Sequence, residues 1–174
     1  MIRPSYLVRG FPGHPLHPPL TDGAIGAYTA AVVLGCLGAV GVAEDALGQA
    51  WWIALLVGLG FGGLAALTGL IDWLTITWGT PLWRTATFHM LVMLVATLLF
   101  VLAAVIGYDA YEDAEVGAFA LTLALIGYAF LTLGGWLGGT IVFVHGMRVL
   151  NLVEEPAGRA IAPGHPEKEM AEGA

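Results

Sequence analysis

The stretch that decides the fold is TATFHMLVMLVATLLFVLAAVIGY, Thr85 to Tyr108, which holds no aspartate, glutamate, lysine or arginine. A helix needs about 20 apolar residues to cross a hydrocarbon core of about 30 Å, so this run is long enough to span a bilayer. Outward from it lie three more such runs: Asp22 to Ala43, Ala50 to Leu74, and the longer Val116 to His145. In lipid each span must satisfy its own backbone hydrogen bonds, so each is predicted to be a helix rather than a strand. The connections Glu44–Gln49, Thr75–Arg84 and Asp109–Glu115 are short, which makes successive helices antiparallel neighbours. The predicted fold is therefore all-α: an integral membrane four-helix bundle, up-down-up-down, over residues 22–149. An N-terminal segment with a His-Pro motif, 1–21, precedes it. A polar tail, 150–174, follows and is expected to be disordered.

Composition agrees. Hydrophobic residues make up 58% of the 174 positions and charged residues 11%, against roughly 25% charged in a soluble domain. The length is that of one domain. Met1-Ile2-Arg3-Pro4-Ser5 does not open a secretory signal, so the chain is expected to insert through its own spans. The single cysteine, Cys36, lies in an apolar run and offers neither a disulfide nor a thiolate cluster. A net charge of −7 argues against nucleic acid, which requires a basic surface.

Orientation follows from the basic residues. With four spans the N-terminus, the middle connection and the C-terminus share one side, and Arg3, Arg9, Arg84, Arg148, Arg159 and Lys168 all fall there. The other side carries Glu44, Asp45, Asp109, Glu112, Asp113 and Glu115. Basic loops mark the cytoplasm, so both termini are expected there, in a multi-pass protein of a bacterial-type inner (plasma) membrane. Trp51 and Trp52 are expected to mark the outer boundary, and Trp73, Trp78 and Trp83 the inner one. Glycines four apart (Gly58 and Gly62, Gly134 and Gly138, Gly135 and Gly139) let helix backbones approach closely. The alternative reading of the same spacing is that the glycines clear room for a flat cofactor.

Histidine placement carries the functional signal. His14 and His17 precede the first span, His89 lies in the first turns of the third, and His145 ends the fourth. All four fall at the predicted cytoplasmic face. Asp22, at the start of the first span, and Asp72, near the end of the second, join them. Ionisable groups at membrane depth are costly and point to function. Each has a structural alternative: Asp22 and Thr85 are natural N-caps, and Asp72-Trp73 can simply end a span. His14 and His17 each precede a proline, which favours extended backbone. In polyproline geometry their rings would stand about 9 Å apart, too far to share one ion, so that segment is expected to give one ligand. His89 and His145, on separate helices, form the simplest axial pair for a b-type haem, with His17 as the substitute for either. Asp22 or Asp72 would orient a ligand ring. Without a thiolate, a zinc or iron ion would be held by nitrogen from His14, His17, His89 and His145 together with oxygen ligands.

The runs HPLHPPLTDGAIGAYT (His14–Thr29), GLIDW (Gly69–Trp73), the isolated His89 and GGWLGGTIVFVHGMRV (Gly134–Val149) resemble the four-helix membrane family called domain of unknown function 2231, over about residues 12 to 150. The resemblance maps the family's first motif onto His14, His17 and Asp22, its Asp-Trp pair onto Asp72 and Trp73, and its later histidines onto His89 and His145. It implies electron transfer nearby, since some relatives are fused to a Rieske domain, and haem binding by the histidines. Related proteins commonly carry a further histidine where this chain has Thr140, and no Rieske cysteines follow the fourth span.

Three functions fit these observations. The first is a b-type haem protein exchanging electrons with a quinone or a separate redox subunit at the cytoplasmic face. The second is a non-catalytic accessory or anchor subunit of a larger membrane complex. The third is a histidine–aspartate metal site. An electron carrier or subunit is favoured over a stand-alone enzyme, and a transporter is disfavoured because no acid or broken helix falls at the midplane.

Overall fold

The computed structural model describes residues 6–11, 13–150 and 152–161. A short helix α1 (Tyr6–Arg9) leads into a two-stranded hairpin, β1 (Gly10–Phe11) against β2 (His14–Pro15). Then come α2 (His17–Ala39), α3 (Glu44–Trp73), α4 (Pro81–Ile106), the short α5 (Tyr108–Glu112) and α6 (Ala118–Gly139), with α7 (Ala157–Ala160) last. The fourth span continues α6 through a π turn, Thr140–Val144. Four helices are long and apolar enough to cross a membrane, and the fold is a four-helix transmembrane bundle.

The packing inverts that of a soluble bundle. Leu64, Leu67, Leu98, Val105 and Phe119 point outward, while Ala31, Ala96, Ala103, Ala120 and Ala124 are buried. Lipid tails are as apolar as leucine, so nothing drives large side chains inward. Small residues win the interior because they let backbones approach. Gly58 seats the Tyr28 ring, and Gly35 and Gly107 flank the indole of Trp51. Tyr28 and Phe100 stack at the bundle centre with centroids 3.8 Å apart and planes 6° from parallel.

The helices pair as two hairpins, α2 with α3 and α4 with α6, and the second hairpin repeats the first. From His17 to His89, and from Tyr28 to Phe100, is a step of 72 residues; the same step carries Ala24 to Ala96, Ala31 to Ala103 and Gly35 to Gly107. On the return helices a step of 69 carries Gly58 to Gly127 and Gly69 to Gly138. Gly58 packs on Tyr28 as Gly127 packs on Phe100. Both hairpins run in the same direction, so a pseudo-twofold axis parallel to the helices passes through the Tyr28–Phe100 stack.

Several sequence expectations are corrected. The first helix starts at His17 rather than Asp22, because Pro18 and Pro19 fall in its first turn, where the missing N–H groups would have had no helical acceptor. His17 is therefore helical rather than extended, and Asp22 is an exposed residue inside the helix rather than its cap. The third span is capped by Thr80, whose Oγ accepts from Trp83 N at 3.2 Å, not by Thr85. Trp51 is a core residue with no exposed surface. Trp52 does stand at that end, donating from Nε1 to the Ala104 carbonyl at 2.8 Å. Of the tail, residues 150 and 152–161 are described, and they include α7. The disorder expected beyond them lies outside the described residues.

Candidate functional site

The hairpin repeat brings two of the four histidines into matching settings. His17, the first residue of α2, donates from Nδ1 to the Ala65 carbonyl of α3 at 2.9 Å, with the Thr68 hydroxyl 3.4 Å from the same nitrogen. His89, in α4, donates from Nδ1 to the Gly134 carbonyl of α6 at 2.9 Å. In each hairpin a glycine sits one turn beyond the accepting carbonyl, under the ring. A Cβ on Gly69 would lie 2.8 Å from Cε1 of His17, and one on Gly138 would lie 3.4 Å from Cε1 of His89.

The tautomers follow from the partners. A carbonyl oxygen only accepts, so both histidines carry their proton on Nδ1 and present an Nε2 lone pair. Neither Nε2 has a hydrogen-bond partner among the described residues. An imidazole whose far N–H is fixed by a main-chain carbonyl is the usual form of a metal-ligating histidine.

His145 is set differently. Its backbone N–H closes the π turn on Thr140 O at 3.0 Å, and its Nε2 lies 3.0 Å from Thr85 Oγ1. That hydroxyl donates to the Pro81 carbonyl at 3.1 Å, so it accepts from His145, which therefore holds its proton on Nε2. Thr85 stands one helical turn from His89, so His145 lies near the pair with the wrong nitrogen protonated. His14 is exposed in β2. Thr140, where the resemblance leads one to expect a histidine, donates to the Trp136 carbonyl at 3.1 Å.

The two acids part company. Asp22 is exposed and forms no hydrogen bond or ion pair among the described residues. Asp72, 7% exposed, is the only buried charged residue among those described. Its Oδ1 accepts from Arg148 Nη1 at 2.6 Å and from Arg9 Nε at 3.1 Å. Arg148 Nη2 donates to the Arg9 carbonyl at 2.7 Å, and Arg9 Nη2 to Thr75 Oγ1 at 3.3 Å. Asp72 thus ties the N-terminal segment, the end of α3 and the chain after the fourth span to one end of the bundle, rather than orienting a histidine. Arg148 adopts a left-handed backbone with φ of 61°, a conformation that costs roughly 1–2 kcal/mol outside glycine, and its side chain makes two of those bonds.

Along one face of α3 these features form a stripe. Gly62 lies by the Tyr28 hydroxyl, Ala65 and Gly69 by His17, and Asp72 by the two arginines. The Tyr28 hydroxyl, on the same stripe as His17, is buried without a partner among the described residues. The arginine cluster and the Tyr28 hydroxyl escape composition and motif reading. The His17–His89 equivalence was visible as the step of 72 residues that also relates Tyr28 to Phe100.

The family described as predicted membrane protein (DUF2231) matches residues 13–151. No curated protein and no solved structure matches the chain.

Proposed function

The chain belongs to the DUF2231 family of predicted membrane proteins, and on that footing we propose that it is a membrane-embedded b-type haem electron carrier in which His17 and His89 would hold the haem. The supporting observation is the pair of equivalent imidazoles, each with Nδ1–H on a main-chain carbonyl and a free Nε2 lone pair. This pair takes the place of the expected one, His89 with His145, because His145 turns its Nε2 to the Thr85 hydroxyl. Ligand count favours haem over a bare ion. Among the described residues no three His, Cys, Asp or Glu side chains converge, and two nitrogens fall short of the four ligands that hold zinc. Two are what a porphyrin leaves to the protein.

When bound, the group would supply reversible one-electron chemistry at its iron. The chain's own part is positional. The Ala65 and Gly134 carbonyls fix the two ring planes, and Gly69 and Gly138 leave the space in which the imidazoles lie. The surrounding alanines and leucines keep water from the bundle interior. Electrons would pass to a quinone or a separate redox subunit at the face where the basic residues gather. That face is read as cytoplasmic in a bacterial-type inner membrane.

The test is the visible spectrum and iron content of the purified full chain, expressed with ample haem. The parent is expected to show a b-type spectrum that is lost in His17→Ala and in His89→Ala and kept in His14→Ala and His145→Ala. Loss in His145→Ala with retention in His17→Ala would restore the other pairing. A colourless, iron-free parent would end the cytochrome reading and leave the accessory or anchor subunit.

A further inference from the structure

At the same end of the bundle, beyond the histidines, a cavity of about 490 Å³ opens between the end of α3, the connection to α4 and the turn after the fourth span. Its polar wall includes Arg9, Arg148, Thr75 and Thr77, and its apolar wall Ile76 and Leu82. Two guanidiniums share one carboxylate oxygen here, so the cluster carries one excess positive charge. Both arginines are partly open, with side-chain exposures of 33% for Arg9 and 21% for Arg148. Arg9 Nη1, Arg148 Nε and the Thr77 hydroxyl make no hydrogen bond among the described residues.

The surroundings fix the kind of anion. Trp73, Trp78 and Trp83 cluster beside the cavity, with centroid separations of 6.0 Å and 5.2 Å, and Trp78 is 79% exposed. Tryptophans at the end of an apolar span sit at headgroup level. At that depth the abundant anion is the phosphate of a lipid. Arginine forks match phosphate oxygens in pairs, and Ile76 and Leu82 offer apolar contact beside it.

We propose that this cavity binds the phosphate group of an anionic phospholipid, with Arg9 and Arg148 as its cationic donors and Asp72 as the counter-charge that holds them together. The site is distinct from the His17–His89 pair and does not depend on haem being present.

The experiment is native mass spectrometry of the full chain released from nanodiscs of mixed phosphatidylglycerol and phosphatidylcholine. The parent is expected to retain phosphatidylglycerol preferentially. Arg148→Gln should lower that preference about fivefold, the ratio that one basic residue gives against an anionic surface. Asp72→Asn removes the competing carboxylate, so it should raise the preference by about the same ratio, a direction that a purely structural role for Asp72 does not produce. Where a variant fails to accumulate, Arg148→Lys and Thr77→Val take its place, and both should reduce the preference by smaller ratios. Equal retention of the two lipids by the parent, or unchanged preference in every variant, would overturn the proposal. A parallel arm uses phosphatidylcholine nanodiscs with inorganic phosphate. Phosphate binding there without any preference for phosphatidylglycerol would assign the site to the free ion and overturn the lipid reading. His89→Ala should keep the parent's preference, which separates this result from the fate of the haem reading.

Discussion

The first hairpin, α2 with α3, and the second, α4 with α6, are two versions of one design, and their differences are more instructive than their agreement. Both set a histidine on a main-chain carbonyl above a glycine, and both send an aromatic ring to the bundle centre three turns further on. Features kept in both copies are what the shared axis needs: two imidazoles of one tautomer and a stacked pair to space the helices. Features present in one copy give the bundle its polarity. The first hairpin ends in Asp72 and its two arginines. The second ends in a π turn that delivers His145 to Thr85. The first has Tyr28 with a buried hydroxyl where the second has Phe100. An insertion of the π kind often marks a functional place in a helix, and here it re-aims the chain so that Arg148 reaches Asp72.

The comparison can be broken most severely at the central stack. Phe100 is fully buried, and Phe100→Ala should lose about 3 kcal/mol or more from the missing ring and the cavity it leaves. Unfolding in detergent followed by tryptophan fluorescence would measure it. A loss below about 1 kcal/mol would show that the second hairpin does not need its ring and that the twofold reading is accidental.

The two glycines under the histidines give a sharper test, because the hairpins are predicted to respond with opposite signs. In Gly69→Ala the new Cβ would meet the His17 ring at 2.8 Å, so the ring must shift and weaken its bond to Ala65. The expected loss is about 1–2 kcal/mol, the scale of overpacking. In Gly138→Ala the corresponding contact is 3.4 Å, which the neighbour can nearly accept. The variant should be neutral, or gain up to about 1 kcal/mol from the helix preference of alanine over glycine. Equal effects at the two positions would mean that the imidazole seats are alike and that the closer fit of His17 has no energetic meaning.

The smallest effect is expected where the two copies differ by one oxygen. Tyr28→Phe makes the stack symmetric and removes a hydroxyl without a partner among the described residues, so stability should stay the same or rise by about 1 kcal/mol. A loss larger than that would show that the hydroxyl has a partner in the working protein, lying between Gly62 and the histidines.

Sequence by itself determined the class, the four spans and their helical character. The physical reason is that lipid leaves a chain little choice: about 20 apolar residues without charge must be a helix, and short connections must turn it back. It also named candidates, since His14, His17, His89, His145, Asp22 and Asp72 can all be picked from span ends alone. It could not sort them. Whether a histidine offers a lone pair or a proton depends on which atom of another helix faces it. His17 and His89 meet carbonyls 48 and 45 residues away, whereas His145 meets a hydroxyl 60 residues away. Helix starts slipped for a local reason, because paired prolines began α2 earlier than the pattern of apolar residues implied. Tryptophan fits an interface or a core equally well, and only Gly35 and Gly107 make a core slot for Trp51. Asp72 changed roles from span end to the tie that joins three segments for the same reason. Its partners, Arg9 and Arg148, lie 63 and 76 residues from it in the chain and meet it only when both hairpins are folded.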